Sequence, residues 1–144
     1  MSEATPSSAP DSFRWPVRVY WEDTDAGGVV YHASYLRFME RARTEWLRAQ
    51  GIDQSAVKET TGLAFLVREM QIDFLRAALL DDELSVTVAV QERRAASILF
   101  AQTISRADGT QLIRAQVRVA CVDIRRMRPA QIPAGMIPGL PPHK

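Results

Sequence analysis

The chain has 144 residues, enough for one domain that buries roughly 70% of the surface its unfolded form exposes. Its 18 basic and 17 acidic residues leave a net charge of +1, too even a balance for a nucleic-acid surface that must neutralise phosphates. A single cysteine excludes an internal disulfide, and no run approaches the roughly 18 apolar residues of a membrane span, so the expected location is the cytoplasm, or at most the periphery of the inner membrane.

Residues 1–12 are Ser, Ala and Pro with two acids, the composition of a disordered tail and not of a signal peptide. From Phe13 to Glu22, Val17, Val19 and Trp21 alternate with polar residues at the period of a half-buried strand. Between Ala33 and Gln50, Leu36, Met39, Ala42, Trp46 and Leu47 recur at helical spacing, and Gly51 supplies a stop. On the polar face of that helix, Glu40 and Glu45 are expected to pair with Arg43, Arg41 or Arg48. Four alternating runs follow, around Leu66 to Phe74, Leu84 to Val90, Ile98 to Ile104 and Ala115 to Cys121, the last two joined by an Asp108-Gly109 turn. After Met127 the chain is Pro-rich and expected to run over the surface. One strand, one long helix and four strands predict an α+β domain over residues 13–134, a five-stranded antiparallel sheet wrapped around the helix, with a tail over 135–144.

The chemistry concentrates in residues 22–32, Glu-Asp-Thr-Asp-Ala-Gly-Gly-Val-Val-Tyr-His, between the first strand and the helix. A helix N-terminus offers unpaired N–H groups and a positive dipole end, so the segment sets a carboxylate beside a site for a developing oxyanion. Asp25 precedes a glycine pair whose backbone permits close approach of a ligand, and it is the candidate nucleophile or general base; it is also a residue type that favours turns for their own sake. Asp23 is expected to anchor the loop. His32, at the helix start, offers a side-chain hydrogen bond or its backbone N–H. Gly28, Val29, Tyr31 and Tyr35 are the expected substrate contacts around it, the two tyrosines as pocket wall or core. Arg93 and Arg126, from arginine clusters at strand ends, are candidates for gripping a polyphosphate arm, against the plainer reading of solvated edge protection.

Other chemistries fail on their missing parts. An aspartyl-phosphate hydrolase needs a downstream lysine, and Lys58 and Lys144 are badly placed. A metal site from Glu22, Asp23 and Asp25 lacks further ligands, because Asp81-Asp82 sit in a turn and His143 in the tail; a Ser or Cys triad lacks histidines. No metal and no separate cofactor is expected.

The stretch from Phe13 to Tyr35, with Glu40-Arg41-Ala42-Arg43-Thr44-Glu45, closely resembles the Tol-Pal-associated acyl-CoA thioesterases of the 4-hydroxybenzoyl-CoA thioesterase branch of hot-dog proteins. Weaker similarity, including Val122-Asp123 and the basic stretch to Pro129, extends to about residue 134. The resemblance implies a hot-dog fold and hydrolysis of an acyl-CoA thioester, coenzyme A being part of the substrate. It places the catalytic aspartate at Asp25 and the oxyanion N–H at His32. It also implies a homodimer with sites between subunits, commonly paired into a tetramer, and leaves acyl carrier protein as an alternative bearer of the same reactive arm. A hot-dog module that binds acyl chains or a carrier protein without hydrolysis is the competing reading, and Asp25 argues against it.

Overall fold

In the computed structural model, residues 13–142 are described; the expected N-terminal tail and His143 lie outside them. The chain runs β1 (Phe13–Arg18), a 3-10 turn (Trp21–Asp23), α1 (Ser34–Ala49), α2 (Gln54–Thr61), β2 (Leu63–Phe74), β3 (Glu83–Arg94), β4 (Ser97–Arg106), β5 (Gln111–Asp123) and β6 (Arg128–Pro129). The strands form one antiparallel sheet in the order β1-β3-β4-β5-β2, with the two-residue β6 attached to β5. The five expected strands are thus present, and β6 is an addition. Register shifts between Val67 and Glu69, Val90 and Glu92, and Ile104 and Ser105 insert extra residues that bend strands and increase twist, which curls the sheet around α1.

Helix α1 buries Tyr35, Phe38, Met39, Ala42, Arg43, Trp46 and Leu47, a stripe at intervals of three and four residues. It packs against inward side chains of the sheet such as Val86, Val88, Phe100, Ile104 and Val117. Trp46 meets Phe100 edge to face at 5.3 Å. Gly51, with φ +84°, ends the helix in the left-handed conformation that a side chain would disfavour. Helix α2 was not anticipated, because it buries none of its residues and so shows no apolar period. Its signal lay in its ends: Asp53 Oδ1 accepts the N–H groups of Ser55 and Ala56 at 3.0 and 3.3 Å, and Gly62 closes it.

Two expectations need adjustment. Val17 and Val19 are buried as the alternation requires, but Trp21 is 79% exposed, since the chain leaves β1 at Arg18 and has turned into the 3-10 segment by that point. The Pro-rich segment does run over the surface, yet it is pinned there by buried Ile132 and Ile137 and by the Gly139 N–H donating to Gln50 Oε1. Cys121 is buried in the sheet, where desolvation raises its thiol pKa. Among the described residues no helix is long and apolar enough to cross a membrane.

Candidate active site in the turn before α1

Residues 24–30 form a tight reversal in which Thr24 bridges to Val30, while Val29 bridges to Leu79 in the loop ahead of β3. The Asp25 N–H donates to the Val29 carbonyl at 2.9 Å and the Gly28 N–H to the Asp25 carbonyl at 3.0 Å, so the backbone at Asp25 is fixed from both sides. Its carboxylate is exposed, with Oδ1 accepting the Gly27 N–H at 2.8 Å and Oδ2 left to solvent among the described residues. The two glycines serve different ends. Gly28 has φ +82°, a conformation that favours glycine, and a Cβ at Gly27 would lie 3.2 Å from Asp25 Oδ1.

Asp23 is the anchor that its position suggested. It is buried; its Oδ2 accepts the Tyr20 N–H at 2.8 Å and its Oδ1 lies 3.9 Å from the Arg37 guanidinium. Its carbonyl accepts the Tyr31 N–H at 2.8 Å and the Ser34 hydroxyl at 3.2 Å, tying the turn to the first residue of α1.

His32 stands one residue ahead of the N-cap Ala33 and two ahead of the first helical residue, slightly farther out than immediate adjacency to the helix. The backbone N–H groups of His32 and Ala33 have no acceptor among the described residues, whereas that of Ser34 donates to the Tyr31 carbonyl at 2.8 Å. Unpaired N–H groups at a helix start are what a carbonyl oxygen gaining charge requires. The exposed His32 ring stacks obliquely on Tyr31 at 4.4 Å and meets the edge of Phe74 at 6.5 Å. Tyr31, Phe74 and Leu79 give the turn an exposed apolar surround. Tyr35 belongs to the core: its hydroxyl accepts the Ala78 N–H at 2.9 Å, and burial raises its phenol pKa against that hydrogen bond.

The two arginines do not join this group within one chain. Asp25 and His32 lie at the Phe74 end of β2, while Arg126 lies in the turn after β5, beside the Leu63 end. Twelve residues of β2 separate those ends, roughly 40 Å at about 3.3 Å per residue. The Arg126 side chain has no partner among the described residues. Arg93 is committed elsewhere, its Nε donating to the Pro141 carbonyl at 3.0 Å and its Nη1 to that of Arg94 at 2.7 Å.

On the helix, Glu45 pairs with Arg48 at 2.6 Å as expected, but Arg43 turns inward to the fully buried Gln102 instead of to an acid. Neither Arg43 nor Gln102 stood out in the sequence as a buried polar pair. The available signal was a break in pattern, a glutamine at an inward position between Phe100 and Ile104.

This curled sheet around α1 matches the fold of known proteins closely. The profile of the thioesterase-like superfamily covers residues 19–140. The chain belongs to this superfamily, and its fold is the hot-dog fold. It is 51% identical over 123 residues to the acyl-CoA thioesterase YbgC of Haemophilus influenzae, covering 85% of this chain and 90% of that one. It is 48% identical over 125 residues to the acyl-CoA thioester hydrolase YbgC of Escherichia coli, covering 87% and 92%. Among solved structures, a probable thioesterase from Bartonella henselae superposes with a TM-score of 0.80 at 34% identity, covering 85% of this chain and 99% of that one. In this superfamily member the conspicuous carboxylate of the turn is Asp25, because the neighbouring acid, Asp23, is buried and fully engaged.

Proposed function

We propose that this protein hydrolyses the thioester of an acyl-CoA with Asp25 as its reacting carboxylate and the His32 N–H as its oxyanion donor. The observation that carries the assignment is an exposed carboxylate, fixed at its backbone in the 24–30 turn, followed two residues after that turn by helix-start N–H groups that have no acceptor among the described residues. With the thioester carbonyl over those amides, the carboxylate attacks the acyl carbon, the C–S bond breaks and CoA thiolate leaves; water then hydrolyses the mixed anhydride. Alternatively Asp25 takes a proton from water, which attacks in its place, and this geometry supports either route. A thiolate leaves readily, so neither route needs a strong general acid.

A second copy completes the site. Asp25 is open to solvent in a single chain, and the β2 edge beside it is unpaired and exposes Leu66, Val67 and Phe74. An edge of this length is a template for another strand, and twofold antiparallel pairing through β2 is self-complementary. That pairing reverses the second strand, so the Leu63 end of one copy, with Arg126, lies alongside the Phe74 end of the other, with Asp25. Arg126 of the second copy is then in position to take a CoA phosphate, a role that the span of β2 denies it within one chain.

The test follows free CoA released from a panel of acyl-CoAs. Asp25→Asn should retain the fold and substrate binding and lose on the order of 10² to 10⁴ in turnover. Near-normal hydrolysis by this variant would refute the assignment, and absence of CoA release by the wild type would favour a module that only binds.

A further inference from the structure

Two arginines are buried in this domain, and they are treated differently. Arg118, 7% exposed, donates to Glu92 Oε1 at 2.7 Å and to Ser97 Oγ at 3.1 Å, so its charge is matched. Arg43, 8% exposed, has one partner among the described residues, the amide oxygen of Gln102 at 3.0 Å. Gln102 is itself fixed, because its Nε2 donates to the carbonyls of Met39 and Thr87, each at 3.2 Å, and this turns its oxygen towards Arg43. No carboxylate lies within ion-pair distance of Arg43 among the described residues. Glu40, one turn earlier, is exposed and acts only at longer range, while burial lowers the guanidinium pKa. A buried guanidinium with most of its N–H groups unanswered is costly, and a methionine or leucine would have filled this place in the stripe without that cost.

Arg43 also lines a cavity of about 250 Å³ between α1 and the sheet, whose walls are mixed: Phe65, Phe100 and Val119 on the sheet side, and Glu40, Thr44 and Gln54 on the side of the helices. An apolar cavity of about 150 Å³ holds benzene, so there is room here for a short acyl group. Phe65 belongs to the start of β2. In the twofold pairing proposed above, that end of one copy faces the Asp25 end of the other, which sets the cavity of one copy beside the reacting turn of its partner.

We propose that this cavity receives the acyl group and that Arg43 selects acyl chains ending in a carboxylate, the half-thioesters of short dicarboxylic acids. The inference rests on the thioesterase reading and on the second copy. A planar guanidinium held by one neutral amide matches a carboxylate in both charge and fork geometry, and the sheet side of the cavity, with Phe65, Phe100 and Val119, accommodates the methylenes between carboxylate and thioester.

The experiment compares glutaryl-CoA with 5-methylhexanoyl-CoA, which has the same shape with methyls in place of the carboxylate oxygens. The wild type should favour glutaryl-CoA in kcat/KM by roughly tenfold or more, since a site built to bond a polar group rejects the analogue lacking it. Arg43→Met should reverse that preference and Arg43→Lys should keep part of it. Because each ratio is taken on one preparation, it does not depend on the fraction of folded protein. A wild type that hydrolyses both substrates equally, or an unchanged ratio in Arg43→Met, overturns the role of Arg43 and leaves the thioesterase standing. Failure of the wild type on these and on every simple acyl-CoA overturns both.

Discussion

At one edge of the sheet β1 is six residues long, contains Pro16 and ends in the exposed Arg18–Glu83 ion pair; at the other, β2 runs for twelve residues with Leu66, Val67 and Phe74 facing solvent. The first carries the usual devices that keep a strand from pairing with a stranger: shortness, a proline and charge. The second carries few. Arg68 and Glu69 sit at its bulge, and the remainder is a long, partly apolar template. The difference teaches where this domain ends. One edge is blunted and the other left open, and the open one ends at Phe74, against the His32 ring; the second copy proposed above uses that edge.

The largest expected effect comes from closing the open edge chemically. Val67→Lys combined with Leu66→Lys should convert a dimer to a monomer in sedimentation and lower kcat/KM on the order of 10²-fold, through loss of the second copy and through charge placed in the cavity that both side chains line. Arg18→Ala at the other edge should alter neither, because an exposed ion pair contributes about 0 to 1 kcal/mol. If the lysine variant stays dimeric and active, the two edges are equivalent and the second copy is elsewhere. Next in size is Gln102→Leu, midway between the edges, which strips the Arg43 partner and leaves the Met39 and Thr87 carbonyls short of a donor; a loss of about 1–3 kcal/mol should appear in the denaturant midpoint of folding.

A smaller change is expected from Gly28→Ala, which forces a side chain into φ +82° at about 1–2 kcal/mol. It should displace Asp25 and depress turnover without altering the oligomer, so a shift in assembly here would mean that the turn and the β2 edge are not separable. The least effect concerns acid stability away from both edges. The hydrogen bond from Arg118, helped by Arg94, holds the Glu92 pKa below the usual carboxylate value. Its stabilisation is therefore fully present above the unfolded-state value and is lost as pH falls through the folded-state value. Glu92→Gln should flatten that acid limb in thermal melts and leave neutral-pH assembly unchanged; an unaltered limb would remove Glu92 as its source.

Much of the architecture was written in periodicity. The stripe of α1 and the alternation of four of the strands reflect burial on one face, which constrains residue type position by position. Helix α2 escaped because it is held by its caps and not by a buried face, and Trp21 was misplaced because alternation does not say where a strand ends. The acid turn was legible because its chemistry is local: carboxylate, glycines and helix start lie within eleven consecutive residues.

The sequence by itself determined the fold class and the acid-glycine turn that leads into α1, since each depends on neighbours close along the chain. Only the tertiary structure decided that Asp23 reaches the Arg37 guanidinium and the start of α1, that Arg93 is tied to the C-terminal segment, that Arg126 lies a strand's length from the turn and that Arg43 is buried against Gln102. Those facts depend on which distant residues the curled sheet brings face to face. A local pattern records whether a residue is buried, not what it meets there.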